Sequence, residues 1–291
     1  MGFKILLNKK EICELYLSNL SLYELVEKYK INRSVIKRIL LENNIKLRSK
    51  TSKYTFNENY FDIIDNQDKA YWLGFIWCDG YLNKRNRTEN NTEYSLKLGL
   101  SEKDVGHLKL FQRYIDSNHE IKYYDINSKS FNTNYKESRL LITNKHFCKN
   151  LYDMYGLIPH RFDISKLINN IPKELYRDFI RGVFDAEGSI TYKTIDFRTS
   201  TCEEFSIGIS TYEELLKFIN KILIEEGLTK TIYKLAQRHE GRDAYCRQLR
   251  ITGNHIVLNI LNWLYKDNEE LSLERRYEKY KHIVNYNKIV K

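Results

Sequence analysis

One internal repeat limits what this chain can become. Trp72-Leu-Gly-Phe-Ile-Trp-Cys-Asp-Gly80 and Ile180-Arg-Gly-Val-Phe-Asp-Ala-Glu-Gly188 align Gly74 with Gly182, Asp79 with Glu187 and Gly80 with Gly188, at an offset of 108. Ser95 to Ser101 resembles Glu204 to Ser210, and Leu141 to His146 resembles Arg250 to His255, both at 109. Three separated blocks at a near-constant spacing call for two related units. They are placed at residues 54–168 and 169–291, behind a segment of residues 1–53.

Each unit reads alike. A helix ends at the acidic-Gly pair and two strands follow: Tyr81 to Arg85 with Tyr94 to Leu100, then Ser189 to Phe197 with Glu204 to Ile209. The second strand alternates, with Leu96, Leu98 and Leu100 on one side and Lys97 and Gly99 on the other; Phe205, Ile207 and Ile209 repeat the pattern. Helices Glu102 to Ser117 and Tyr212 to Gly227 come next. Two more strands follow in each unit: Ile121 to Ile126 with Ser138 to Ile142, then Thr231 to Ala236 with Tyr245 to Ile251. A closing helix ends each unit. The fold class is α+β, with two αββαββα units. Each holds a four-stranded antiparallel sheet with one face on helices and one polar, basic face.

Residues 1–53 are helical and strongly basic, with twelve Lys/Arg against five Asp/Glu. That segment carries most of the chain's net charge of +10, which calls for an anionic partner, nucleic acid first. Ser21 and Glu24 have capping-box spacing ahead of a helix from Leu22 to Tyr29. Asn32 caps a second, Arg33 to Asn43, after a turn of Lys30-Ile-Asn32. Two short helices joined so tightly, the second bearing Arg33, Lys37 and Arg38, form a helix-turn-helix pattern that places those three cations on DNA. A basic stretch, Lys46 to Lys53, reads as a linker or backbone-tracking arm.

Other classes drop out. No apolar run approaches the ~18 residues of a membrane span, and the start lacks signal-peptide pattern. Cys13, Cys78, Cys148, Cys202 and Cys246 are odd in number and widely spaced, so a reducing intracellular compartment is expected and a zinc ribbon is not. No HxxxH, P-loop or GxGxxG occurs.

The repeated motif carries the chemistry. Small residues four apart, Gly74 with Cys78 and Gly182 with Ala186, let two helix backbones approach along one face. Their C-terminal ends then meet, with Asp79 and Glu187 side by side and Gly80 and Gly188 as glycine caps. Two carboxylates at helix C-termini sit in an unfavourable dipole field. A divalent cation offsets it, and carboxylates with backbone carbonyls and waters suit Mg²⁺. Such an ion activates water and stabilises charge on a phosphodiester.

The two nonapeptides resemble the LAGLIDADG motif, and the αββαββα pattern resembles the fold of LAGLIDADG homing endonucleases, over about residues 54–291. Leu273-Glu-Arg-Arg-Tyr-Glu-Lys-Tyr-Lys281 and Tyr155-Gly-Leu-Ile-Pro159 look like that family's domain ends. The first copy departs at Trp77, where the motif is acidic. The second departs at Arg181 and has Glu187 for the final Asp. The resemblance implies a monomeric, site-specific double-strand DNA endonuclease with pseudo-two-fold symmetry, each sheet lying in the major groove of a long, poorly palindromic target. Asp79 and Glu187 would ligate the metal, Mg²⁺ or Mn²⁺, with the carbonyls of Cys78 and Ala186 assisting. Arg161 or His160, and Arg275 or Arg276, would lie near the scissile phosphates, with Arg161 and Arg276 as the chosen catalytic pair. The groove-facing cations would be Lys84, Lys97, Lys122, Arg139, Lys193, Arg198, Lys234 and Arg250.

The competing class is a non-enzymatic binder on the same scaffold, an intron RNA-splicing maturase or a transcription regulator, in which the chain's own intron RNA would be a partner. Both carboxylates are present, which favours the enzyme. An intein-embedded nuclease is disfavoured by the lack of a splicing Cys or Ser at the start and His-Asn at the end, so the chain reads as free-standing or intron-encoded.

Overall fold

The computed structural model describes residues 8–18, 20–45, 47, 54–88, 91–128, 133–158, 163–196, 201–237 and 246–289. The chain divides into two compact units. The first comprises Met1–Phe56 with Asp116–His119, the second Asn57–Ile115 with Glu120–Lys291.

In the first unit, helices α1 (Lys9–Leu17), α2 (Leu22–Tyr29) and α3 (Arg33–Glu42) close over Ile12, Cys13, Tyr16, Leu25, Ile36, Ile39 and Leu40. The capping box forms as its spacing predicts: the Glu24 amide donates to Ser21 Oγ at 3.1 Å and the Ser21 amide to Glu24 at 2.7 Å. Lys30 ends α2 in the left-handed region (φ 52°), and Asn32 caps α3 through the Ser34 amide. These local signals decide where the helices stop, because so small a core leaves little packing to override them.

The second unit repeats a helix and a four-stranded sheet. Helix α4 (Gln67–Asp79) runs directly into β1 (Gly80–Thr88), which pairs with β2 (Asn91–Ser101); after α5 (Val105–Tyr114) come β3 (Lys122–Ser128) and β4 (Thr133–Thr143). Helices α6 (Lys145–Asp153) and α7 (Ser165–Asn169) lead to α8 (Tyr176–Glu187), β5 (Gly188–Asp196), β6 (Thr201–Tyr212), α9 (Glu213–Glu225), β7 (Leu235–Gln237) and β8 (Cys246–Thr252). The chain closes with α10 (Asn254–Tyr265) and α11 (Glu274–Ile289). Both sheets are antiparallel, in the orders β1-β2-β4-β3 and β5-β6-β8-β7. Leu82, Leu96, Leu98, Leu140 and Ile142 bury one face of the first sheet, and Ile190, Phe205, Ile207, Ile209, Leu249 and Ile251 one face of the second.

Register corrects one block of the repeat. Gly80 pairs with Leu98, and its counterpart Gly188 with Ile209. Strand β6 is therefore displaced by 111 from β2, not 109, and Ser210 rather than Gly208 is the structural counterpart of Gly99. The difference of two is even, so every side chain keeps its face.

Helices α4 and α8 pack backbone to backbone. A Cβ on Gly74 would lie 2.1 Å from the Phe179 carbonyl oxygen, and one on Gly182 2.0 Å from that of Tyr71. Tyr71 and Phe179 are themselves equivalent at the 108 offset, so the crossing is two-fold in character. The helices run in the same direction. Burial raises the Asp68 carboxyl in the first turn of α4, and Asp178, near the start of α8, raises it further. At the other end, Trp77 meets Tyr212 edge-on at 6.1 Å, beyond the Ile209 partner of Gly188. Backbone on both sides of the crossing leaves no flexible group to yield. Gly74→Ala and Gly182→Ala are each expected to destabilise the second unit by about 2 kcal/mol or more. The check is the midpoint of chemical denaturation followed by tryptophan fluorescence, since Trp72, Trp77 and Trp263 all lie in that unit.

Candidate active site and nucleic-acid face

Asp79 and Glu187 are the last residues of α4 and α8. They lie five residues past the glycine crossing, about 7.5 Å along each axis. Because the helices are parallel, both half-buried carboxylates stand at the same end, where the two sheets begin. Cys78 and Ala186 sit just before them, also half-buried.

The expected glycine caps work differently. Gly80 and Gly188 have φ of −76° and −77°, extended rather than left-handed. Their N–H groups complete the helices on Ile76 and Phe184. A Cβ would lie 2.4 and 2.2 Å from those same carbonyl oxygens. Glycine is needed for space: the chain turns from helix to strand with no intervening loop, which fixes the acidic residue at the junction.

The donor set fits a hard divalent cation. Carboxylate and helix-terminal carbonyl oxygens are the ligands Mg²⁺ prefers, and two parallel helix C-termini add negative field. Among the described residues no group of three or more His, Cys, Asp or Glu is poised around one metal position. An ion here would therefore rest on the two carboxylates, backbone carbonyls and water.

Behind this end lies a buried polar network that the sequence did not disclose. Asp185, wholly buried two residues before Glu187, accepts from Tyr71 Oη (2.6 Å), from Tyr265 Oη and from the Leu273 amide (2.8 Å). Burial pushes its carboxyl up, and the three donors pull the other way. Tyr71 Oη, already donating, accepts from His107 Nε2 at 2.9 Å. Trp77, the counterpart of Asp185, donates its indole N–H to the Tyr155 carbonyl at 3.0 Å. Both residues thus tether the segment at the end of their own half, one as donor and one as acceptor. Arg181 is fully buried, bonded to Asp178 (3.0 Å) and the Leu271 carbonyl, with its guanidinium 4.6 Å over the Tyr71 ring. No periodicity marks these residues; only the mismatch of Arg181 and Trp77 with the repeated motif hinted at them.

The basic candidates scatter. His160, Arg161 and Arg198 lie outside the described residues. Arg276 is half-buried, its Nε without a hydrogen-bond partner, and burial lowers its guanidinium. Arg275 pairs with Asp104 at 3.0 Å. Lys84 is a correction. It stands opposite buried Tyr94 on the helix side, 4.7 Å over the Tyr152 ring, because Leu82 points inward and residues two apart share a face. Lys234 precedes β7 instead of lying in it, that strand being three residues long. Lys97, Lys122, Arg139, Lys193 and Arg250 do share the open faces. Lys97 lies 5.4 Å over Tyr81 and Lys193 pairs with Glu204 at 3.2 Å. Sequence reasoning passed over Arg85 on the first open face and Ser189, Thr191, Ser206 and Gln248 on the second. In the first unit Arg33 and Arg38 are exposed and Lys37 half-exposed.

Comparison with known proteins gives four matches. Residues 174–262 match the model of the LAGLIDADG-like domain. The fold matches I-SmaMI bound to an uncleaved DNA target in the presence of calcium ions, with a TM-score of 0.51, 11% identity, 76% of this chain and 90% of that one. It also matches meganuclease I-SmaMI bound to uncleaveable DNA with a TTCT central four, at 0.50, 12%, 74% and 88%. A probable translation initiation factor IF-2 of Methanocaldococcus jannaschii is 27% identical over 128 residues, 42% of this chain. The match spans a tenth of that protein's length. Residues 174–262 are thus similar to the LAGLIDADG-like domain, and the chain has the two-unit fold of I-SmaMI.

The His107 imidazole gives a pH prediction. Burial, with Arg275 and Arg181, holds it down at about 3, against about 6.5 when unfolded. A depressed folded value means its contribution is complete above about pH 6.5 and is lost as pH falls toward about 3, at up to about 1.4 kcal/mol per pH unit. His107→Gln keeps a donor to Tyr71 and does not titrate. Tryptophan-monitored unfolding between pH 6.5 and 5 should show a clearly shallower slope in that variant.

Proposed function

We propose that the chain is a site-specific, metal-dependent double-strand DNA endonuclease. The observation that carries this reading is the pair of carboxylates, Asp79 and Glu187, at the shared end of two parallel glycine-packed helices, between two sheets with open polar faces. Each carboxylate serves one strand. Asp79 and Glu187, with the carbonyls of Cys78 and Ala186, would hold Mg²⁺ or Mn²⁺. That ion supplies charge neutralisation at the scissile phosphate and an acidified water. The helix-to-strand junctions keep both carboxylates from following the substrate, so their position is set before DNA arrives. Arg276 and Arg161 are proposed to offset phosphate charge.

The open sheet faces are proposed to read the major grooves and the first unit to supply a helix-turn-helix contact. In that unit Arg33 and Lys37 stand one helical turn apart on α3, and Arg38 follows about 100° further round the helix. The fold similarity to DNA-bound nucleases supports a DNA partner, and the protein is proposed to act as a monomer because both halves lie in one chain.

Asp79→Asn and Glu187→Gln should each lower double-strand cleavage by about a hundred- to a thousandfold while leaving duplex affinity near that of the parent. The measurement is a cleavage selection on a randomised duplex library with and without Mg²⁺, and parent-like cutting by either variant rejects the assignment. Specific retention of DNA or RNA without cutting by the parent would move the function to a maturase or regulator. Replacing Arg33, Lys37 and Arg38 together with Ala should flatten the plot of log affinity against log salt by about 0.9 for each phosphate no longer neutralised. An unchanged slope would place α3 outside the interface.

A further inference from the structure

On the open face of the first sheet, four residues from three adjacent strands form one assembled device. Arg139 on β4 donates from Nε and Nη2 to Glu137 Oε1 and Oε2, at 2.6 and 2.9 Å. Its guanidinium lies 4.3 Å over the ring of Tyr124 on β3. Gly99 on β2, paired with Arg139, makes room for the carboxylate: a Cβ there would fall 2.2 Å from Glu137 Oε1. The Arg139 hydrogen bonds hold the Glu137 carboxyl below its usual range, so the pair stays ionised.

A guanidinium carries five N–H donors in a planar fork. The carboxylate occupies the Nε side, and Tyr124 covers one face. Among the described residues nothing bonds the end of the fork: both Nη1 hydrogens and the second Nη2 hydrogen. Two parallel N–H groups at that spacing match O6 and N7 of guanine in the major groove. A flexible cation meant for phosphate needs no such splint. An anion beside it also cancels the charge a phosphate contact would use. Side-chain freedom has been removed before binding, which is where an arginine otherwise loses most on docking.

We propose that Arg139 is a guanine-reading residue of the first sheet, held in reading position by Glu137, Tyr124 and the gap at Gly99. This rests on the DNA-binding reading above. The device is confined to one half. At the equivalent register the second sheet has Gln248 for Arg139, Cys246 for Glu137 and Ser210 for Gly99. The guanine requirement therefore falls in one half-site and has no symmetric partner.

The test uses the full chain. After library selection gives the parent's target, binding is measured to duplexes carrying each base pair at each position, for the parent, Arg139→Ala, Arg139→Lys, Glu137→Gln and Gly99→Ala. The parent should show one position in the first sheet's half-site where guanine is preferred by about five- to a hundredfold. Arg139→Ala and Arg139→Lys should erase that preference alone, because lysine keeps the charge and lacks the fork. Gly99→Ala collides with the far end of the Glu137 side chain and meets Arg139 Cγ only at an ordinary contact distance of 3.6 Å, so it unseats the splint while both charged residues remain. It and Glu137→Gln should weaken the preference at the same position, with Glu137→Gln steepening the salt dependence as it frees a cation. Uniform loss across sequences in Arg139→Ala, with a slope lower by about one, makes Arg139 a phosphate contact and overturns the inference. Unchanged preferences in every variant make the cluster a structural ion pair and overturn it too. A parent that binds no duplex overturns the proposed function itself, whereas a parent that binds and cuts with these variants unaltered overturns the guanine reader alone.

Discussion

Two helix backbones touch at Gly74 and Gly182 with no side chain between them, and the second unit is built outward from that crossing. Because each glycine meets a carbonyl oxygen of the opposite helix at about 2 Å from where a Cβ would be, the spacing and height of the pair are set by hard atoms rather than by adjustable side chains. The strands then start without a loop at Gly80 and Gly188. The two sheets inherit their relative placement from the helix pair, and so do Asp79 and Glu187. A site that must present two carboxylates at a fixed relation gains from having no rotatable linker between the packing contact and the functional residue.

The two halves meet this common demand with different chemistry. At one motif position the first half uses the Trp77 indole to hold a carbonyl, and the second uses Asp185 to gather two phenols and an amide. A neutral indole on a carbonyl is cheap to bury, whereas a buried carboxylate requires every one of its donors. The second half therefore carries more of the polar load, including Arg181 with Asp178 and the link through Tyr71 to His107. Tyr71 belongs to the first helix and Asp185 to the second, so the network also ties the halves across their interface, where identical copies would offer only apolar packing. Losing one donor would cost more than that hydrogen bond, since the remaining groups would stay buried without partners.

Much of this was legible in the residues, and the gaps have physical reasons. The repeat fixed the number of units, and the alternating leucines gave the faces. The capping box at Ser21 and Glu24 and the cap at Asn32 placed α2 and α3 to within a residue, since local hydrogen bonds decide such ends. Gly80 and Gly188 were recognised as special for the wrong reason: glycine serves crowding as well as left-handed φ, and only coordinates separate the two. Lys84 was put on the open face because its charge was weighed above its parity with Leu82. The chain satisfies both, turning the side chain to the helix side with its ammonium over the Tyr94 and Tyr152 rings while the residue stays exposed. The displaced register of β6 was hidden because its Ile-Gly-Ile mimics Leu-Gly-Leu two residues out of step. Asp185, Tyr71 and His107 come from three separate stretches, and no local pattern joins them.

Charge is divided unevenly along the chain, and the division has a consequence for the proposed activity. Residues 1–53 hold seven of the ten net positive charges. On the open sheet faces, by contrast, cations are repeatedly neutralised in place: Arg87 by Glu93, Arg139 by Glu137 and Lys193 by Glu204. A face designed for strong, sequence-blind attraction to phosphate would leave those cations uncompensated. Pairing lowers the non-specific pull and restricts each side chain to fewer conformations, which favours discrimination over affinity. A nuclease that cuts a long site once gains from that arrangement. On the proposed reading, attraction would come from a basic segment of its own, and the sheets beside the carboxylates would decide whether the sequence is right.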